Sequence, residues 1–352
     1  MILITGAAGY IGSHCAIELL SNGFDLVLFD NLETGHIETI ETLKNLSEKG
    51  KVVDFIQGDL KNFNEINPVF KKYKIEGIIH FAANSLVEES VKNPQKYYFN
   101  NVFGSLNLFR AMIENNVKNV VFSSTAATYG EPQYLPIDEV HPQIPINNYG
   151  MSKLMIEKIL FDYEKAYDFK SIIFRYFNVA GADKKGRIGE IHSPETHLVP
   201  NILKSTFGGE KVFKMFGTDY ETKDGTCVRD YINVEDLAEA HRFGLERLLT
   251  QGKSGIYNLG TQEGFTVKEI FDVCEKVTGQ KIPVEICARR DGDPAKLVAN
   301  FAQAKVDLNW MPKRTIFDTI ESAYNWEKKL DERHSISRGS GNEALSGKYT
   351  NL

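Results

Sequence analysis

A tyrosine and a lysine four residues apart, Tyr149 and Lys153 in NNYGMSKLMIEKIL, have the residue types and spacing for acid–base chemistry. The segment is predicted to be helical, so the two side chains share one face of the helix. A free tyrosine has a pKa of about 10 and is a poor base at neutral pH. A cation at about 4 Å is worth roughly 4 kcal/mol at an effective dielectric constant of 20, and one pKa unit is about 1.4 kcal/mol, so such a cation lowers the pKa by up to about three units. We therefore predict that Lys153 helps Tyr149 to act as a general base near neutral pH.

The Tyr-x-x-x-Lys pattern is weak by itself, because the chain has 15 tyrosines and the pattern recurs at Tyr324 and Lys328. Position separates the two matches. Tyr149 follows the fifth predicted strand on the side of the sheet where ligands bind in α/β folds, whereas the second pair lies in a C-terminal helix and is interpreted as a surface pair. The fifth strand ends in FSST, residues 122–125, and Thr125 is predicted to hydrogen-bond the reacting oxygen.

Three glycines follow the first predicted strand, in GAAGYIG at residues 6–12. Gly6 permits a tight turn, Gly9 allows the backbone to approach a pyrophosphate, and Gly12 lets the following helix pack closely on the sheet. A diphosphate is then expected at the helix N-terminus, where free N–H groups and the helix dipole favour an anion.

Acidic and small residues follow the next strands. Asp30 and Asn31 end the second strand, near the distance at which an acid binds the ribose hydroxyls of a dinucleotide, and an acid there favours NAD over its 2′-phosphorylated form. Asp59 after the third strand is predicted either to meet the adenine amino group or to cap the next helix, and both interpretations stay open. The small residues of Phe81-Ala82-Ala83 leave room for the cofactor after the fourth strand.

The elements that position these residues alternate regularly. Six apolar runs, ILIT, DLVLFD, KVVDFIQGD, EGIIHFAA, KNVVFSS and SIIFRYFN, are typical of strands buried on both faces. Helices are predicted over 11–22, 62–73, 94–116 and 147–168. The alternation predicts an α/β fold with a doubly wound, Rossmann-type parallel sheet over residues 1–176.

The pattern changes after residue 176. A helix is expected at about 198–208, and a segment over 228–260, which includes VRDYIN and SGIYNLG, is expected to return to the main sheet. The rest of 177–330 is predicted to form a smaller mixed α/β substrate domain. The polar Ser- and Gly-rich stretch 331–352 is predicted to be a poorly ordered tail.

Composition argues for an ordinary soluble protein. A net charge of −6 spread along the chain gives no basic patch for nucleic acid or a membrane surface. No apolar run is long enough to span a bilayer, and no signal peptide is recognised. The four cysteines have no CxxC spacing, so free thiols and a cytoplasmic location are expected.

Together these segments resemble the extended short-chain dehydrogenase/reductase family, and within it the UDP-hexose 4-epimerases. The likeness runs to about residue 330 and rests on TGAAGYIGSH, FDNLETG, HFAANSLVEESV, FSSTAATYGE, NNYGMSKLMIE, RYFNVAGA, DGTCVRDYINVEDLAEAH, YNLG and RRDGDPAKL. The resemblance implies that bound NAD takes a hydride from C4 of a UDP-sugar and returns it to the opposite face of a 4-keto intermediate. It also implies a homodimer through helices 94–116 and 147–168.

The resemblance assigns roles to particular residues. The catalytic residues it implies are Tyr149, Lys153 and Thr125, with Ser124 as the less well matched hydroxyl. The cofactor-binding residues are Gly6, Gly9, Tyr10, Ile11, Gly12, Asp30, Asn31, Asp59, Leu60, Phe81, Ala82, Ala83, Asn100, Ser123, Tyr149, Lys153 and Phe177. The substrate-binding residues are Asn178, His197, Leu198, Phe216, Arg229, Arg290, Asp293 and Leu297.

Two departures from the family pattern bear on function. Ser85 stands where the family often has a lysine near the NAD phosphates, which removes one charge and is expected to loosen NAD. Leu297 aligns with a bulky tyrosine of some members, so the sugar pocket is expected to be wider and to accept N-acetylated hexosamines.

Three other functions fit the sequence less well. A nucleotide-sugar 4,6-dehydratase needs an acidic pair directly after the catalytic threonine, where this chain has Ala126 and Ala127. A sugar-acid decarboxylase matches the sequence less well. A non-catalytic NAD-binding sensor would not need Tyr149 and Lys153 together. His192 and His197 do not fit one helical face, so no metal site is predicted there.

Overall fold

The structure is a computed structural model that describes residues 1–46, 53–207, 212–289 and 293–346. Its strands are β1 Ile2–Thr5, β2 Leu26–Asp30, β3 Val53–Gln57, β4 Gly77–His80, β5 Asn119–Thr125, β6 Lys170–Tyr176, β7 Asn178–Ala180, β8 Phe213–Phe216, β9 Val228–Asn233, β10 Gly255–Leu259, β11 Gly264–Thr266, β12 Val284–Cys287 and β13 Lys296–Leu297. Its α-helices are α1 Tyr10–Ser21, α2 Ile37–Leu46, α3 Phe63–Lys72, α4 Val87–Lys92, α5 Pro94–Tyr97, α6 Gly104–Glu114, α7 Asn148–Tyr167, α8 Leu198–Lys204, α9 Val234–Gln251, α10 Val267–Thr278, α11 Ala302–Leu308 and α12 Ile316–Ser346.

The main sheet has seven parallel strands in the order β10-β6-β5-β4-β1-β2-β3. The order reverses between β1 and β4, which makes the carboxyl ends of these two strands the ligand-binding crevice of a doubly wound fold. Strands β1, β2, β4 and β6 are apolar on both faces because helices cover both sides, with α1 and α9 on one side and α3, α6 and α7 on the other. The predicted Rossmann-type fold is confirmed.

A second group of elements packs around its own apolar core. Strand β9 lies between β11 and β13 and also pairs with β7, while β8 pairs with β12. Helices α8, α10 and α12 cover this part, with Ile202, Ile270 and Ile320 fully buried. The boundaries of a separate substrate domain remain a prediction.

Several elements differ from the sequence predictions. Strand β10 joins the main sheet as expected, but β9 of the same returning segment belongs to the second sheet. Helices α2 and α4 were not predicted, and a six-residue π-helix at Tyr98–Phe103 interrupts the predicted helix 94–116. Helix α12 extends through residues 331–346 of the predicted tail, and residues 347–352 lie outside the described part. The poor order of the tail stays a prediction.

Within the described residues, no helix combines the length and the apolar character needed to cross a bilayer.

Candidate active site

A cavity of about 330 Å³ opens at the carboxyl ends of β1 and β4. Of the predicted site residues it is lined by Gly6, Gly9, Tyr10, Ile11, Gly12, Asp30, Asn31, Asp59, Leu60, Phe81, Ala82, Ala83, Asn100, Ser123, Thr125, Tyr149, Lys153, Phe177, Asn178, His197 and Leu198. Residues far apart in sequence therefore meet in one crevice, at the place where α/β folds bind their ligands.

The glycine loop is tight at two positions. Gly6 has a φ of +72°, and a Cβ there would lie 2.6 Å from the backbone nitrogen of Ala82. A Cβ on Gly12 would lie 2.2 Å from the carbonyl oxygen of Gly6. No side chain caps α1 at Gly9, so the first N–H groups of the helix are free to meet a bound anion.

Asp30 holds the loop and faces the cavity at once. Its Oδ2 accepts a hydrogen bond from the Ala8 N–H at 2.9 Å, and its Oδ1 accepts one from the Leu32 N–H at 2.8 Å. A carboxylate has about four acceptor positions, so two remain for ribose hydroxyls. Burial raises the pKa of Asp30 above its usual value.

For Asp59, the structure decides against the helix-cap interpretation. Asn62 caps α3, because its side chain accepts a hydrogen bond from the Asn64 N–H at 3.1 Å. Asp59 instead lines the cavity and accepts a hydrogen bond from Asn31 Nδ2 at 3.1 Å.

The three predicted catalytic side chains meet above β5. Asn147 caps α7 because its side chain accepts a hydrogen bond from the Gly150 N–H. The helix therefore begins at the cavity, and Tyr149 and Lys153 line the cavity from its first two turns. Thr125 and Tyr149 line the cavity together. Lys153 Nζ donates to the Ser123 carbonyl oxygen at 2.7 Å and lies 4.9 Å from the centre of the Phe122 ring.

The electrostatics of this pair differ from the sequence expectation. Burial raises the pKa of Tyr149 to about 12, although the hydrogen bond with Thr125 opposes this. Burial also lowers the pKa of Lys153 to about 7, although the Glu157 carboxylate opposes this. The expected lowering of the tyrosine pKa therefore does not arise from the protein alone, because desolvation disfavours both charged forms.

Ser124 does not line the cavity, which contradicts a catalytic role for it. Successive side chains of a strand point to opposite faces, so Ser123 and Thr125 face the cavity while Ser124 faces the other way. Ser124 is fully buried and donates a short hydrogen bond to Glu157.

Glu157 is a residue that the sequence analysis missed. It is fully buried and paired with Arg175, whose Nη2 donates to Glu157 Oε2 at 2.7 Å. The signal was present in the sequence, because Glu157 follows Tyr149 and Lys153 by eight and four residues on one helical face. The pair anchors α7 to β6 behind the catalytic residues.

The predicted substrate-binding residues divide into two groups. Asn178, His197 and Leu198 line the cavity, whereas Phe216, Arg229, Asp293 and Leu297 lie beyond it, and Arg290 is outside the described residues. Arg229 pairs with Asp293 through a short contact. Tyr231, which the sequence analysis missed, does line the cavity from the same strand as Arg229. Arg229 and Tyr231 are two residues apart on β9, so their side chains lie on the same face of the strand, about 7 Å apart. Arg229 therefore lies just outside the cavity that Tyr231 lines.

His192 and His197 both line the cavity and lie close to two glutamates. Burial alone would lower the pKa of His192, but hydrogen bonds with Glu190 and Glu195 raise it to about 9. The rings of the two histidines are 5.2 Å apart.

This fold and this site define a nucleotide-binding enzyme of the extended short-chain dehydrogenase/reductase class. The family model described as GDP-mannose 4,6 dehydratase matches residues 3–323. The UDP-glucose 4-epimerase of Halalkalibacterium halodurans is 48% identical over 335 residues, which cover 95% of this chain and 97% of that protein. The chain belongs to the UDP-glucose 4-epimerase family.

Solved structures agree with this assignment. The UDP-glucose 4-epimerase of Bifidobacterium longum, in complex with NAD+ and UDP, has a TM-score of 0.88 and 39% identity, covering 93% of this chain and 98% of that one. The UDP-Glc/GlcNAc 4-epimerase of Campylobacter jejuni has a TM-score of 0.80 and 40% identity, covering 93% of this chain and 99% of that one.

Proposed function

We propose that this protein is an NAD-dependent UDP-hexose 4-epimerase that interconverts UDP-galactose and UDP-glucose. The observation that carries the proposal is that Thr125, Tyr149 and Lys153 line one cavity together with the glycine loop. A tyrosine base, a hydroxyl partner and an anion-binding helix end in one crevice suit oxidation and reduction of a sugar alcohol on a nucleotide carrier.

The residues fit NAD. Side chains at Gly6 and Gly12 would collide with the backbone, so the loop keeps its approach to a diphosphate open. Asp30 retains acceptors for ribose hydroxyls and would repel a 2′-phosphate. Ser85 lines the cavity in place of a lysine, and we expect NAD to be held without that charge.

In the reaction, NAD supplies the reversible hydride acceptor when bound. Tyr149 takes the proton of the sugar 4-hydroxyl and later returns it, because its hydroxyl faces the cavity beside Thr125. Thr125 holds the reacting oxygen by a hydrogen bond. Lys153 is held beside the catalytic residues by its hydrogen bond to the Ser123 carbonyl oxygen. When Lys153 is protonated, its positive charge favours the tyrosinate form of Tyr149.

The nucleotide part of the substrate is assigned to the second sheet. Asn178 starts β7 at the cavity, and Leu198 starts α8 there. We propose that Arg229 and Asp293 bind the diphosphate and ribose at the outer end of β9, since a guanidinium binds phosphate oxygens by paired hydrogen bonds. A firm hold on the nucleotide leaves the hexose free to turn over.

We further propose that the sugar pocket accepts N-acetylated hexosamines. Leu297 and Phe177 both pack against the cluster of Ala126, Tyr129 and Ile137, and Phe177 lines the cavity. Leucine is smaller than tyrosine, so space for an N-acetyl group is expected beside Phe177. The Campylobacter jejuni relative that acts on both UDP-Glc and UDP-GlcNAc gives the proposal support.

A cytoplasmic homodimer is part of the proposal. Phe99 and Phe103 stack with ring centres 5.0 Å apart and are 53% and 39% exposed. Met151 and Met155 are exposed on α7, the other helix of the expected interface. An apolar surface on these two helices suits association with a second copy. All four cysteines are free, which suits a reducing compartment.

The test is a product assay without added NAD. UDP-galactose is given to the purified protein, and the sugars are separated by chromatography. UDP-glucose as product, with no loss of mass, supports epimerisation with retained cofactor. A 4-keto-6-deoxy sugar would show a dehydratase, which we do not expect because Ala126 and Ala127 cannot move protons. No product even with added NAD would overturn the proposal.

A further inference from the structure

The loop between β7 and α8 brings four side chains with metal-binding atoms together. Glu190, His192, Glu195 and His197 each offer one such atom, and these atoms lie within 4.8 Å of one another. His192 Nδ1 lies 3.1 Å from Glu190 Oε1 and 3.8 Å from Glu195 Oε1, and His197 Nδ1 makes a shorter contact with Glu190 Oε1. We propose that this cluster is a binding site for a divalent transition-metal ion, with Zn²⁺ as the expected occupant.

The distances suit a tetrahedral ion. Zinc binds histidine nitrogen and carboxylate oxygen at about 2.0–2.2 Å, which places neighbouring ligand atoms about 3.3–3.6 Å apart around the ion. The distances of 3.1 and 3.8 Å from His192 Nδ1 to the two glutamates fall on both sides of this spacing, and side-chain movements of about 1–1.5 Å would bring the four ligand atoms to it. Two imidazoles and two carboxylates suit zinc better than calcium or magnesium, which prefer oxygen ligands alone.

The charge around the cluster favours a cation. Three carboxylates, Glu190, Glu195 and Glu327, are each nearly buried, with side chains 5–7% exposed. Lys204 Nζ lies 3.1 Å from Glu195 Oε2 and 3.7 Å from Glu327 Oε1. With neutral imidazoles, as metal binding requires, Glu190 and Glu195 leave excess negative charge at the cluster, and a bound dication balances it in place of the protons that the histidines otherwise hold.

Hydrogen bonds to the loop backbone and to neighbouring side chains already hold the ligands in place. The Trp326 indole N–H donates to the Glu190 carbonyl oxygen at 3.0 Å, which fixes the loop to α12. Glu195 Oε1 accepts from the His197 N–H at 3.0 Å, and its Oε2 accepts from Lys204 at 3.1 Å. Partners of this kind orient ligands in metal sites.

The position of the cluster gives the ion a structural role. Residues 181–197 form a stretch of 17 residues between β7 and α8, with no helix or strand of its own. A loop of this length is uncommon unless it is functional, and it ends in His197 and Leu198 at the cavity. An ion at the cluster would cross-link this loop and hold one wall of the nucleotide cavity in place.

The test uses the full, tag-free chain. The protein is dialysed against Zn²⁺, passed through a desalting column and analysed for metal by mass spectrometry. We expect about one zinc per chain for the wild type and a loss of most of it in Glu195→Gln and His192→Gln. Glu321→Gln, an exposed glutamate on α12, is the matched control and should keep the ion.

Two further measurements keep the test independent of activity. X-ray absorption should show nitrogen and oxygen ligands at about 2.0 Å with no sulfur, which excludes the cysteines. Zinc at one hundred times its Kd should raise the melting temperature of the wild type by about 5 °C, and less in Glu195→Gln. Less than a tenth of an ion per wild-type chain, or equal binding by both variants and the wild type, would overturn the proposal.

Discussion

Lys153 gives a prediction whose size follows from its burial. The side chain is 2% exposed, and burial lowers its pKa to about 7, against about 10.4 for a free lysine. Between these values the unfolded chain binds one more proton than the folded protein. The free energy of unfolding therefore rises with pH across this window, with a limiting slope of about 1.4 kcal/mol per pH unit from this one group.

The change that isolates the effect is Lys153→Met. Methionine keeps a long apolar side chain but cannot titrate, so its loss of the hydrogen bond to Ser123 is a constant offset at every pH. Other groups act in the same window; burial raises the pKa of Cys274 to about 12, for example, which opposes the lysine. The difference between wild type and variant removes these shared contributions.

The assay is urea unfolding of both proteins at several pH values from 7.5 to 9.5. From the two lysine pKa values, the wild type should gain about 2 kcal/mol over the variant between these limits. Stability curves that run parallel would refute the reasoning, because they would mean that Lys153 stays charged in the folded protein.

Three more predictions follow from the site and the surface. Tyr149→Phe should reduce kcat by about 10²–10⁴-fold, since it removes the proton acceptor, while NAD measured after release from the protein stays equimolar; unchanged kcat would remove Tyr149 from the mechanism. Leu297→Tyr should lower kcat/KM for UDP-GalNAc by at least about tenfold while kcat/KM for UDP-galactose stays unchanged. Leu297→Ala should retain activity with both substrates. Equal losses of kcat/KM for the two substrates in Leu297→Tyr would contradict a specificity role. Phe99→Asp should shift the protein from dimer to monomer in sedimentation velocity. Val140→Asp changes an even more exposed apolar residue outside the proposed interface and should leave the dimer intact; a monomeric wild type would refute the proposed interface.

The fold was largely predictable because its signals are local. A parallel strand buried on both faces is a continuous apolar run, and the six runs identified in the sequence became six adjacent strands. Sheet membership is not local, however. VRDYIN has the pattern of any buried strand, and nothing in it indicates that β9 pairs with β7, β11 and β13 instead of the main sheet.

The candidate site was predictable where residues sit at fixed positions on regular elements. The two-residue period of β5 could have excluded Ser124, and the four-residue spacing on α7 could have found Glu157. The cluster around His192 could not be found in this way. An irregular loop has no period, so the distance between Glu190 and His197 depends on turns that the sequence does not reveal.

Burial shifts the pKa values of Tyr149 and Lys153 in opposite directions, and this determines when Tyr149 can act as a base. Desolvation favours the neutral tyrosine and the neutral lysine, so the protein alone keeps the pair uncharged over a wide pH range. Tyr149 becomes a base at neutral pH only if further positive charge enters the cavity, because a cation at about 4 Å lowers the pKa by up to about three units at an effective dielectric constant of 20. Base strength is then coupled to the charge of the bound nucleotide, and Tyr149 in the protein without nucleotide should titrate near pH 12. A tyrosinate absorbance signal in that protein at pH 8, missing in Tyr149→Phe, would show that the coupling is not needed.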